Sequence, residues 1–395
     1  MELRHLPWLA LAGIILVGCR FNHTLSEQST SNSYSPSKTA NTSSVIQTPL
    51  QNATPIPAPS NEPVDLVLSE RITLHQSGYL MSYIVSLEEY EAYRDLMIPD
   101  PSLQTVQDVY SHFKDDFDFV FVINNEEKDL NVMGNGITFA LRTYPETGLG
   151  SLKTFEDGLP YVKISSPLEN ETERLMTMIH FANKDAIRKG PALHEMMHRW
   201  GNFVLPGPRE FTMHWGFSNV GGQLGGFTDL EPIKDGTYHA FNRFRPDKCF
   251  SPNTPSATWD TRNSIPYAPL ELYLMGLLRI DEIPSEIIVL EDGWFVDDAA
   301  CIVAGGKHVY QTEDLLQPIR QPGPAFSQKK FKILTVVVTP TPLSEEEWDY
   351  YLQQLKWFEY QDDDGDPDLY NFWEATGGRA SVEFGELTES LKPNE

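Results

Sequence analysis

The sequence predicts an α+β fold with a mixed sheet, and three observations lead there. Phe117–Ile123 (FDFVFVI) and Lys332–Val338 (KILTVVV) are apolar runs of strand length, rich in β-branched and aromatic residues. Ser344 and Glu347 form a capping box ahead of an amphipathic helix reaching about Phe358, with Trp348, Tyr351, Leu352 and Leu355 on its buried face. Strands and helices mix without a regular βαβ rhythm.

Residues 1–18 read as a secretion signal: Arg4 and His5 make a basic start, and a nearly unbroken apolar run from Leu6 to Val17 is too short to span a bilayer. The run ends Leu16-Val17-Gly18-Cys19, which resembles a bacterial lipobox. That resemblance implies a lipidated Cys19, export, and anchoring at the cell envelope; Arg20 after the cysteine resembles outer-membrane sorting in Gram-negative lipoproteins. Residues 19–63 then read as a tether. From Thr24 to Pro63, Ser, Thr, Asn, Gln and Pro supply 28 of 40 residues, too polar to offset the chain entropy of folding.

Residues 64–395 form the folded body. A further strand is expected at Tyr161–Ile164, by alternation, and further helices at Gly190–Phe203 and Pro269–Leu278. Pro191 suits a first helical turn. The glycine pairs Gly221-Gly222 and Gly225-Gly226 follow no strand, so they carry no nucleotide-binding meaning.

The chain has 30 Lys and Arg against 56 Asp and Glu. Residues 1–63 hold three of each sign, so the whole charge of −26 belongs to the body, 27 basic against 53 acidic. An acidic body argues against nucleic acid as a partner, because phosphates select basic surfaces. Gly216-Phe217-Ser218-Asn219-Val220 lacks the second glycine of a nucleophile elbow, so a serine hydrolase is poorly supported.

The chemistry concentrates in Gly190–Phe203 (GPALHEMMHRWGNF), which contains His194-Glu195-Met196-Met197-His198, an HExxH motif. Residues four apart share a helix face, so the two imidazoles can converge on one Zn²⁺, and Glu195 can reach a water there without ligating the metal. The competing reading is a helix with two ordinary histidines. A catalytic zinc needs a third protein ligand and an open position. Gly201 matches the glycine of HExxHxxGxxH, but Val204 stands where that pattern has its third histidine. Two residues can supply the third ligand: His214, in Met213-His214-Trp215-Gly216, or Glu271, in Pro269-Leu270-Glu271. His214 is favoured, because a histidine in a glycine-rich loop has few structural reasons to exist and a glutamate on an amphipathic helix has many. Met275 is core packing or a residue beneath the metal. Tyr238 and Tyr267 are possible oxyanion donors.

At the HExxH the chain resembles zincin metallopeptidases. More narrowly, it resembles a group of largely uncharacterised secreted bacterial proteins read as metallopeptidases. These share an HExxHxW helix (here His194 to Trp200), a later HW in a glycine-rich loop (His214-Trp215), a PLELYLMGL-like segment (Pro269 to Leu277) and an NFWEATGGRAS-like segment (Asn371 to Ser381). The resemblance spans about 190 residues and implies a zincin-like catalytic domain, a zinc endopeptidase acting on protein or peptide, and Glu195 as general base. The alternative is a surface-anchored binding or structural protein whose zincin-like core does not turn over; a zinc hydrolase of other bonds is a third reading.

Two further features are expectations. Cys249 and Cys301 remain once Cys19 is lipidated, and an exported chain can oxidise them to a disulfide. Glu359–Asp368 holds six carboxylates in ten positions, with Asp362, Asp364 and Asp366 alternating as Ca²⁺ ligands could. Pro367 and the late Glu374 depart from an EF-hand loop, so a solvated acidic loop competes with the calcium reading.

Overall fold

The chain divides into two units, Met1–Ser60 and Asn61–Glu395. The computed structural model describes residues 64–96, 98–127, 135–141, 174–205, 214–227, 229–234, 236–241, 263–295, 302–319 and 321–393, all in the second unit. Cys19, the tether, the strand expected at Tyr161–Ile164, Cys249 and Cys301 lie outside the described residues.

The fold is α+β with a mixed sheet, as expected. The strands are β1 (Leu66–Val67), β2 (Ile72–Leu74), β3 (Met81–Ile84), β4 (Phe119–Asn124), β5 (Gly136–Ala140), β6 (Thr177–Phe181), β7 (Asp229–Lys234), β8 (Thr237–Phe241), β9 (Glu286–Glu291), β10 (Trp294–Phe295), β11 (Ile302–Val303), β12 (Gly306–Gln311), β13 (Lys330–Thr339) and β14 (Ser381–Glu383). The α-helices are α1 (Leu87–Tyr93), α2 (Asp100–Tyr110), α3 (Ala192–Met197), α4 (Pro269–Leu274), α5 (Thr312–Leu316), α6 (Glu345–Glu359) and α7 (Phe372–Ala375).

The main sheet runs β1-β2-β3-β13-β4-β6-β5, with β14 alongside the start of β13. Strands β3, β13, β4 and β6 are mutually parallel, and β5 closes the far edge antiparallel to β6. All six residues of β4 are buried, which explains its nearly continuous apolar sequence: a parallel strand is covered on both faces. Alternate residues face opposite ways. Phe119, Phe121 and Ile123 join a core with Ile179, Ile333, Leu193 and Met197. Val120 and Val122 join Val336, Val106 and Tyr110 beneath α1 and α2. Each full burial of such a side chain is worth about 1.5–3 kcal/mol, and truncation forfeits that plus a cavity term.

Helix α6 begins as read, with Ser344 Oγ accepting from Glu347 N at 3.3 Å and the Glu347 carboxylate accepting from Ser344 N at 2.8 Å. Helix α4 stops at Leu274, short of the expected Leu278. Gly276 N donates to Tyr273 O (2.8 Å) and Leu277 N to Leu272 O (2.7 Å), the paired bonds of a Schellman closure. Helix α3 also stops short of the expected Phe203: beyond Met197 the turn tightens, with Arg199 N donating to Met196 O (3.1 Å) and Trp200 N to Met197 O (2.9 Å), and Asn202 Nδ2 then takes His198 O at 2.7 Å. Among the described residues no helix is long and apolar enough to cross a membrane.

Candidate metal centre

Helix α3 follows β6 and sits under the edge strand β5. Its first turn is fixed by Asn263, which accepts from Leu193 N (3.1 Å) and donates to Ile187 O (2.8 Å) and Arg188 O (3.1 Å). The Tyr267 hydroxyl donates to Leu193 O at 2.9 Å. Tyr267 therefore anchors this helix and is not free as an oxyanion donor. Tyr238 packs beside Phe217, Phe227 and Leu230, in a separate small cluster.

His194 on that helix and His198 at its C-terminal cap are buried, and half-buried His214 comes over them from its loop. The three offer ligand atoms within 4.8 Å of one another. His194 Nε2 lies 3.1 Å from His198 Nε2 and 3.3 Å from His214 Nε2. Ligand atoms held tetrahedrally at about 2.0–2.1 Å from zinc are about 3.3–3.4 Å apart. Among the described residues no fourth His, Cys or carboxylate joins the group.

Proton bookkeeping sharpens this geometry. His194 Nδ1 is 2.7 Å from Gln223 O, an atom that only accepts, so Nδ1 carries the proton and Nε2 a lone pair. Asn202 turns its Oδ1 to His198 Nδ1 at 2.9 Å, because its Nδ2 is committed to His198 O. His198 Nε2 therefore also presents a lone pair. Burial lowers His194 to about 4, His214 to about 3 with help from His194, and His198 well below its usual range. All three are neutral at pH 7. Two buried lone pairs thus face each other across 3.1 Å with no proton between them, an arrangement that a cation relieves.

Glu195 is buried beside them at 6 % exposure. Thr138 Oγ1, from β5, lies 2.8 Å from Glu195 Oε2 and 2.7 Å from Glu195 O, clamping both its side chain and its backbone. Burial pushes Glu195 up to about 7, against the lowering pull of the Thr138 hydrogen bond. Gly136 allows this close approach. A Cβ there would stand 2.7 Å from Pro191 Cγ and 2.8 Å from Glu195 Cγ. Gly136→Ala is therefore expected to lower stability by about 1–3 kcal/mol through overpacking, read as a shift in urea midpoint. An unshifted midpoint would show that β5 can move away from α3.

Glu271 does not join the three histidines. Its carboxylate is fully buried and accepts four N–H bonds, from Trp215 Nε1 (2.8 Å), Leu224 N (2.8 Å), Gln223 N (2.9 Å) and Ala268 N (2.8 Å). Burial raises its pKa while these bonds oppose the rise. Met275 is buried in the main core.

In the acidic loop the structure groups Asp363, Asp364 and Glu374, whereas the sequence pattern suggested Asp362, Asp364 and Asp366. These carboxylates serve the loop's own backbone. Asp364 accepts from Asp366 N and from the Trp357 indole, and Asp366 accepts from Asp368 N and pairs with Arg188.

Thr138, Asn202, Gln223 and Asn263 were not singled out from sequence. Asn202 had a faint local signal, four residues beyond His198; the other three act across 29 to 70 residues of chain. Compared with family models, with curated proteins and with solved structures, the chain matches none.

Proposed function

We propose that the chain is a zinc-dependent hydrolase of peptide bonds, held at a bacterial cell envelope by lipid on Cys19 and displayed on the tether 19–63. The observation that carries the metal reading is the meeting of the unprotonated Nε2 atoms of His194 and His198, with His214 Nε2 3.3 Å from that of His194 and the three ligand atoms within 4.8 Å of one another. Three neutral imidazoles suit zinc, and three protein ligands with one position left for water are the pattern of catalytic rather than structural sites. When bound, zinc supplies a Lewis acid that acidifies water and polarises a substrate carbonyl.

The chain's own residues do the rest. His194, His198 and His214 would hold the ion, with Gln223 O and Asn202 Oδ1 fixing two of the tautomers. Glu195 takes a proton from the attacking water and returns it to the leaving amine. Thr138 holds the Glu195 carboxylate in place. The peptide substrate, the zincin-like character of the fold and the lipid anchor rest on the sequence resemblances.

The test is zinc content and proteolysis of the full-length protein. The parent is expected to retain about one zinc per chain and to cleave an unfolded general protein substrate, with loss on chelation and recovery with zinc. His214→Ala is expected to weaken zinc binding by more than about 100-fold, beyond the effect usual for an outer partner. A parent that binds no zinc sinks the metal reading. A zinc-loaded parent that cleaves nothing leaves the non-catalytic binding protein in its place.

A further inference from the structure

We propose that Glu271 is a positioning residue that sets the geometry of the three-histidine cluster without touching the metal. This deepens the zinc reading above and rests on it. A glutamate at the third position of α4 would be explained as a helix cap by one bond alone, the one from Ala268 N. The other three bonds leave the helix and grip the two loop segments that complete the site.

Each grip is one step from a histidine. Trp215, whose indole N–H donates to Oε1 at 2.8 Å, directly follows His214. Gln223 donates its N–H to Oε2 at 2.9 Å, and its carbonyl accepts from His194 Nδ1 at 2.7 Å. Leu224 donates to Oε1, and its own carbonyl accepts from Trp215 N at 2.8 Å, so the two segments are also tied to each other. One carboxylate therefore fixes the approach of His214 and the partner of His194 together. The donors are all N–H groups, two to each oxygen, which matches a carboxylate and mismatches an amide. The loop is shaped for the same contact. A Cβ on Gly222 would lie 2.2 Å from Glu271 Oε2, so only glycine lets the carboxylate seat.

The experiment compares full-length parent, Glu271→Gln and Trp215→Phe. Three quantities are read: zinc affinity by competition with a chromophoric chelator, the visible spectrum of the cobalt-substituted protein, and the thermal midpoint of the metal-free protein. Glu271→Gln turns an NH₂ group toward two N–H donors; Trp215→Phe removes one donor and leaves the carboxylate in place. Both are expected to weaken zinc binding by about 10–100-fold, the range for residues that orient metal ligands, and to shift the cobalt bands. Folded variants with parental zinc affinity and cobalt spectrum overturn the proposal, even if their metal-free midpoints fall, because that outcome is structural support alone. Should Glu271→Gln fail to fold, Trp215→Phe decides the matter on the same readouts. A parent that binds no zinc overturns the metal reading itself, a failure distinct from variants that bind as the parent does.

Discussion

Glu195→Gln is expected to keep the fold and the zinc and to lose hydrolysis by about 10²–10⁴-fold, the usual worth of a positioned general base. The substitution is isosteric. Its amide oxygen can still accept from Thr138 Oγ1, which now sits 2.8 Å from Oε2, and no histidine contact is altered. What disappears is the ability to take a proton. Gln also removes a carboxylate that is 6 % exposed, and an uncompensated buried charge costs stability. The thermal midpoint of the variant should therefore match or exceed the parent's. That pairing separates a functional carboxylate from a structural one, since replacing a structural one lowers stability and leaves turnover intact. Proteolysis at the parental rate by zinc-loaded Glu195→Gln would remove Glu195 from the mechanism.

Much of the frame was legible because its signals are local. The β-branched and aromatic run around β4 declares a strand buried on both faces, and its burial is complete. The Ser344–Glu347 box declares the start of α6, and both of its reciprocal bonds form. The spacing of His194 and His198 places two rings together on any helix, and they meet. His214 was favoured over Glu271 for its glycine-rich setting, and it lies with His194 and His198 in one group. The rest was hidden for a physical reason: hydrogen bonds that position a site close over long loops, and no short pattern encodes them. Thr138 reaches Glu195 across 57 residues, and Asn263 reaches Leu193 across 70.

Glu271 is the instructive case. Its sequence context, with Pro269 and Leu270 before it, reads as a helix start, and the bond from Ala268 N bears that out. Local pattern alone offered a zinc ligand or a solvated or salt-bridged helix residue. The structure gives a third role, which needs Trp215, Gln223 and Leu224 to arrive from 47 to 56 residues away. Acidity was similarly ambiguous. A run of carboxylates looks the same in sequence whether it awaits a cation or caps its own loop, and here Asp362, Asp363, Asp364 and Asp366 each accept from nearby backbone N–H groups.

Acid should weaken the fold through a histidine outside the candidate centre. His180, on β6, is fully buried between α2 and β4. Asn124 Nδ2 donates to Tyr93 O at 2.8 Å, so its Oδ1 faces His180 Nε2 at 2.9 Å and must accept. Nδ1 is then left to accept from the Ser102 hydroxyl at 2.9 Å. The trio has the composition of a nucleophilic site, yet none of the three is exposed at all, so it reads as a satisfied network around a neutral ring. Burial lowers His180 from 6.5 to about 3. Above pH 6.5 the ring is neutral in both folded and unfolded chains and contributes no pH dependence. Below it only the unfolded chain takes the proton, so stability falls by about 1.4 kcal/mol per pH unit until the folded ring also protonates near pH 3, a total of about 5 kcal/mol. His180→Gln isolates this contribution from that of every other titrating group. At pH 7 the variant should be less stable by about 1–3 kcal/mol, because a buried polar partner goes unmet. At pH 5 the gap should narrow by about 2 kcal/mol, since only the parent still carries the proton-linked loss. Urea midpoints at the two pH values measure both. An equal gap at pH 7 and pH 5 would mean that His180 is protonated in the native state, and that the network accommodates an imidazolium.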